Sequence, residues 1–145
     1  MTTLDDVTAL GARDSGLVVV ATTRADGSVQ ASVVNAGVMA HPVSGERVVA
    51  FVTYGAAKLR NLRARPRLTV TFRAGWQWAT VEGPTELVGP DDPHPAIDAE
   101  AQRLLLRDVF TAAGGAHDDW DEYDRVMAEQ HRTAVFVTPE RVYSN

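Results

Sequence analysis

The stretch Thr53-Tyr54-Gly55-Ala56-Ala57-Lys58-Leu59-Arg60-Asn61-Leu62-Arg63 places a strand end, a glycine and a helix start directly before a basic helix. Unpaired N–H groups and the helix dipole attract an anion at such a terminus, and Lys58 in the first turn adds a formal charge. Arg60 and Arg63, three apart on one helical face, suit a second anionic group farther along. A solvated basic helix paired with acidic helices elsewhere would show the same spacing, so both readings stand.

The charge distribution sharpens this. The chain carries a net charge of −5. Between Arg47 and Val81, however, there is no Asp or Glu and there are seven Lys or Arg, leaving 7 basic residues against 19 acidic ones elsewhere, a balance of −12. Five of the seven fall from Lys58 to Arg67. Such a cluster in an acidic protein repels itself, and an anionic ligand offsets that repulsion. The acidic remainder repels a phosphate backbone, so a nucleic-acid module is disfavoured.

Other candidate chemistry is thin. Trp76-Gln77-Trp78 puts two indoles on one face of an expected strand, able to stack on a planar ring, although large aromatics more often fill a core or a subunit contact. Thr22, Thr23, Ser32, Asn35, Thr53 and Thr80 supply small hydrogen-bonding side chains near strand positions, as any barrel does. His41, His94, His117 and His131 are scattered without metal-ligand spacing, so no metal site is expected. With no nucleophile elbow and no cysteine, an enzyme built on this chain would leave its chemistry to a cofactor.

The positioning elements follow from length and pattern. At 145 residues with 45% hydrophobic and 23% charged residues, one domain spanning 1–145 is expected. The N-terminus lacks a signal-peptide pattern and no apolar run is long enough for a membrane span, so a cytoplasmic protein with no membrane partner is expected. Thr3 caps a helix to Ala12. Leu17–Thr23 is an apolar β-branched run entering a hairpin at Asp26-Gly27, and Ser28–Ala40 continues as a long strand in which Gly37 marks a bulge or a close backbone approach. A turn over His41–Gly45 leads to a strand over Glu46–Tyr54, then the basic helix, which Pro66 ends. Strands are expected over Arg67–Arg73 and over Trp76–Val88, interrupted at Gly83-Pro84. Helices over Pro93–Gly115 and Asp118–Gln130 precede a last strand, Thr133–Tyr143. Hairpins this short exclude parallel crossovers, so the fold class is mainly β: a small antiparallel barrel of six to seven strands with helices outside.

Three stretches carry a family resemblance: Leu17–Gln30, Lys58-Leu59-Arg60-Asn61-Leu62-Arg63-Ala64-Arg65-Pro66-Arg67, and Trp76-Gln77-Trp78-Ala79-Thr80-Val81-Glu82-Gly83-Pro84. With them the chain resembles the pyridoxamine 5′-phosphate oxidase-like, FMN-binding type split barrels, and among these the actinobacterial F420-dependent oxidoreductases of the B group. The resemblance implies a homodimer with a deazaflavin in a groove at the subunit interface. It implies Lys58 at the phosphate, with Ala57 and Asn61 beside it, and Arg60 and Arg63 near the phosphate or the polyglutamate tail. It also implies Ser32, Val33, Val34 and Asn35 along the ring edge, Thr53 near the ring or ribityl chain, and Trp78 with Thr80 approaching from the neighbouring subunit.

The implied activity is hydride transfer from F420H2 to an electron-poor double bond of a small-molecule substrate. FMN is the alternative cofactor, and a non-enzymatic ligand carrier the alternative function. The chain departs from the oxidases that name the superfamily: Ser28–Gly37 holds no Arg or Lys for a flavin phosphate, and Glu140-Arg141-Val142-Tyr143 lacks their C-terminal substrate motif.

Overall fold

A computed structural model describes residues 1–145. Helix α1 (Leu4–Ala12) begins at a capping box. The Thr3 hydroxyl accepts from the Asp6 N–H while the Asp6 carboxylate accepts from the Thr3 N–H, and Asp5 and Asp6 sit in the positive first turn. Strands β1 (Leu17–Thr23) and β2 (Val29–Ala40) form a hairpin. Its turn is set by Asp26, which accepts from the Ser28 N–H at 2.9 Å, and by Gly27 at φ +86°.

Then come β3 (Arg47–Thr53), α2 (Ala56–Ala64), β4 (Arg67–Ala74), β5 (Gln77–Val88), α3 (Ala99–Ala112), α4 (Trp120–Glu129), β6 (Thr133–Val137) and β7 (Arg141–Ser144). The strands run β4-β1-β2-β3-β6-β5, and β4 pairs back onto β5, closing a six-stranded antiparallel barrel; β7 is added outside on β5. The expected mainly-β split barrel is therefore the fold. No helix is long and apolar enough to cross a membrane.

Three expectations are corrected by local packing. β5 runs unbroken through Gly83-Pro84, and the break lies opposite, in the last strand, which divides into β6 and β7. Thr85 pairs with Val137 and Glu82 with Arg141, so three residues face two and the extra one makes a bulge. Gly83 permits it, since a Cβ there would lie 1.8 Å from the Thr138 carbonyl oxygen. Second, α3 starts at Ala99, not at Pro93, because the Asp98 side chain accepts from the Ala101 N–H at 2.8 Å and fixes the start. Third, Trp76 lies in the β4–β5 turn, 95% exposed, so it does not share a strand face with Trp78. Gly37 is a close approach: a Cβ there would lie 2.0 Å from the Ala112 carbonyl oxygen, so α3 rests on the β2 backbone.

Alternation on the strands fills two cores. Val18, Val20, Val49, Phe51, Val70, Phe72, Val81 and Val135 point into the barrel, with Val7 of α1 packed against them. Val48, Ala50, Ala134 and Phe136 point outward under Leu105, Leu106, Val109 and Tyr123 of α3 and α4. β3 and β6 are consequently buried on both faces, and they hold up the end of the barrel at which the basic helix begins.

Candidate functional site

The barrel splits where β2 and β3 part. β2 pairs with β1 from Val29 to Asn35, but with β3 only from Ala36 to Ala40. The second edge of β2 over residues 29–35 therefore has no strand partner, and its main-chain groups are left for another ligand. The chain leaving β3 at Thr53 turns through Tyr54 and Gly55 into α2 beside this open edge, while α3 and α4 rise opposite. Between them lies a cleft of about 450 Å³. Its β side holds Val33, Val34, Asn35, Thr53 and Lys58, and its helical wall holds Val109, Phe110, Tyr123 and Met127, with Arg132 at the α4–β6 junction. None of the 14 lining residues is acidic.

Lys58 is the central charge. It is only 6% exposed, and its ammonium donates to Thr53 Oγ1 at 3.2 Å and lies 5.9 Å from the Phe51 ring centre. No carboxylate pairs with it. Burial, and then the charge of Arg132, hold the Lys58 ammonium below the usual lysine range. Arg132 stacks on Tyr54 with its guanidinium carbon 3.7 Å from the ring centre. Tyr123 anchors the helical wall by donating to the Leu106 carbonyl at 2.8 Å, and burial pushes its phenol up to about 12.

The other expected site residues divide. Val33, Val34, Asn35 and Thr53 meet Lys58 in the cleft, and the Asn35 amide donates to the Ser15 carbonyl at 2.8 Å, tying β2 to the turn before β1. Ser32 sits opposite Val20, so its side chain points into the barrel, where its buried hydroxyl oxygen has no partner. Ala57 is half-buried beside Lys58. Asn61 is buried and donates to Thr22 Oγ1 at 3.0 Å, tying α2 to β1. Arg60 is exposed and unpaired, whereas Arg63 donates to both oxygens of Asp92, at 3.0 and 2.6 Å. Trp78 and Thr80 lie on the outer face of β5, away from the cleft; Trp78 meets Tyr143 edge-on and Thr80 shares a hydrogen bond with Thr71 at 2.9 Å.

The sequence reading missed the helical wall and Arg132. Phe110, Tyr123 and Met127 occupy apolar positions of amphipathic helices, indistinguishable by spacing from core residues. Arg132 stands alone next to a strand and offers no signal.

A deazaflavin or flavin mononucleotide joins a flat apolar ring to an anionic chain. An apolar slot with an open strand edge on one side and a buried, acid-free cationic end fits such a molecule. The closed barrel with its parted strands defines a class, the split barrels. The chain belongs to the pyridoxamine 5′-phosphate oxidase family, whose model matches residues 5–145.

Among solved structures, a conserved hypothetical protein from Mycobacterium tuberculosis is 18% identical at a TM-score of 0.68, over 99% of this chain and 84% of that one. A pyridoxamine 5′-phosphate oxidase-related, FMN-binding protein from Nostoc punctiforme is 13% identical at 0.62, over 99% and 86%. A protein described as an F420 reductase is 19% identical at 0.58, over 90% and 91%. At such identities the likeness establishes the fold. No curated protein matches the sequence.

Proposed function

We propose that this chain is an F420H2-dependent reductase that delivers a hydride to an electron-poor double bond of a small molecule, working as a homodimer. The observation that carries the reading is Lys58: a buried ammonium without a carboxylate, at the end of an apolar slot, costs stability unless an anion completes it. The residues present fit the cofactor. Lys58 would hold its phosphate, the open β2 edge from Ser32 to Asn35 would meet the polar rim of its ring, and Arg60 would extend positive charge outward for a polyglutamate tail, joined by Arg63 once it releases Asp92.

The cofactor, when bound, supplies the hydride. The protein's share is to orient the substrate against it and to keep water out, which the wall of Val109, Phe110, Tyr123 and Met127 is built to do. No carboxylate faces the slot, so the chain offers no acidic side chain there to move a proton.

A second copy is supported by the outer face of β1 and β2, where Val19 and Val33 sit directly opposite each other, 46% and 64% exposed. Such a contiguous apolar face is characteristic of a contact surface, and Trp78 with Thr80 lies on the same sheet.

The test is a fluorescence titration of the purified protein with F420 and with FMN side by side. Tighter binding of F420, with oxidation of F420H2 by an enone panel, is the expected result. Bound yellow FMN with indifference to F420 favours the flavin alternative. Affinity for neither overturns both.

A further inference from the structure

Arg132 is the second cation of the slot, and its geometry resembles that of a ligand-binding group more than that of a stabilising ion pair. Of the other twelve arginines, Arg47, Arg63, Arg67, Arg103, Arg107 and Arg125 are neutralised by carboxylates, and the six that are not lie outside the cleft. Arg132 has none. Its Nε donates to the Gln130 side-chain oxygen at 2.8 Å, and its plane is pinned on Tyr54. Stacking plus one hydrogen bond fixes the fork while leaving the two terminal nitrogens without a protein acceptor, which is the pre-organisation that bidentate oxyanion binding requires.

The site is shared with Lys58. Both residues line the same cleft, no acid lines it, and each charge is held in a poorly solvated setting that disfavours it. Two like charges facing one acid-free slot repel, and one oxyanion between them removes the repulsion and the desolvation cost together. Arg132 and Met127 also border a second cavity of about 270 Å³ behind the helical wall, but Gln102, Arg103 and Asp124 line that side, so the acid-free face of Arg132 is the one turned to the cleft.

We propose that Arg132 and Lys58 form a two-cation clamp for a single oxyanion, a phosphate or a carboxylate, on the molecule bound in the cleft. Arg132 supplies the directional contact and Lys58 the point charge. The proposal rests on the cofactor reading for the identity of that molecule, but not for the clamp itself.

The clamp is tested with inorganic phosphate at constant ionic strength, following the Arg132 Nε–H and the Tyr54 and Gly55 amides by nitrogen–proton NMR. Saturable shifts are expected in the wild type and in Arg24→Gln, a surface control. In Arg132→Gln binding should weaken at least about tenfold, the loss of one charge-assisted hydrogen bond. Arg132→Lys, which keeps the charge but loses the fork, should fall in between.

The source of the oxyanion is read from ligands. A weaker FMN or F420 complex with unchanged riboflavin binding in Arg132→Gln assigns it to the cofactor phosphate. Unchanged cofactor affinity with loss of cinnamate binding assigns it to a carboxylate substrate. Equal phosphate binding by wild type and Arg132→Gln, or no saturable shift in either, overturns the clamp. Absence of flavin and F420 binding in the wild type overturns the cofactor reading alone.

Discussion

The ammonium of Lys58 and the hydroxyl of Thr53 are joined across the start of α2 at 3.2 Å, and the same hydroxyl accepts from the Gly55 N–H at 3.3 Å. One oxygen thus shapes the turn and steadies the charge. Because burial lowers the folded-state pKa of Lys58, the unfolded chain binds the proton more tightly. Stability should therefore rise with pH from that lowered value up to the ordinary lysine value of 10.5. Lys58→Met should remove this slope and raise the melting temperature at pH 7, by about 2–4 °C per kcal/mol regained. It should also weaken cofactor binding by about 1–3 kcal/mol. Urea midpoints between pH 7 and 10 for both proteins check the first claim; parallel pH curves would contradict it.

Arg63 can meet a polyglutamate tail only by exchanging Asp92 for it. Asp92→Asn should free the guanidinium and tighten F420 binding about two- to fivefold, on the order of 0.4–1 kcal/mol, with FMN unaffected. The stability cost should stay under about 1 kcal/mol. Equal effects on both cofactors would place the tail elsewhere.

Asp124 fastens α4 to α3 by accepting from Arg107 Nε at 2.9 Å and from an Arg103 terminal nitrogen at 2.6 Å. Those bonds, Arg107's first, hold its carboxyl below the usual range. Its contribution is present above the ordinary value of 3.8 and is lost as pH falls through the lowered one. Asp124→Asn should cost about 1–3 kcal/mol at pH 7 and less in acid. Thermal melts at pH 7 and pH 3 make the comparison.

Gly37→Ala should destabilise by about 1–3 kcal/mol, because a new methyl meets the Ala112 carbonyl and α3 must lift from β2. A melting temperature equal to that of the wild type would show that α3 yields without cost.

The strands were readable because their signals are local: alternation over Arg67–Arg73, Asp26-Gly27 at the hairpin, Thr3 before α1. The bulge opposite Gly83 was not, since it arises from a contact with Thr138, fifty-five positions away in the chain. Likewise Lys58 announced itself through its place after Gly55, whereas Arg132 acquires meaning only once α4 delivers it to Tyr54. The pairing of Arg63 with Asp92 depends on a loop whose path no periodicity encodes.

A strand sealed on both sides, as β3 is, tolerates little variation, and Thr53 sits at its tip. The opposite boundary hangs on two helices tied by one aspartate and a tyrosine hydroxyl. If the slot works as proposed, descendants of this chain can remodel what they accept by altering Phe110 or Met127, while Thr53 and Lys58 keep their places at the rigid end.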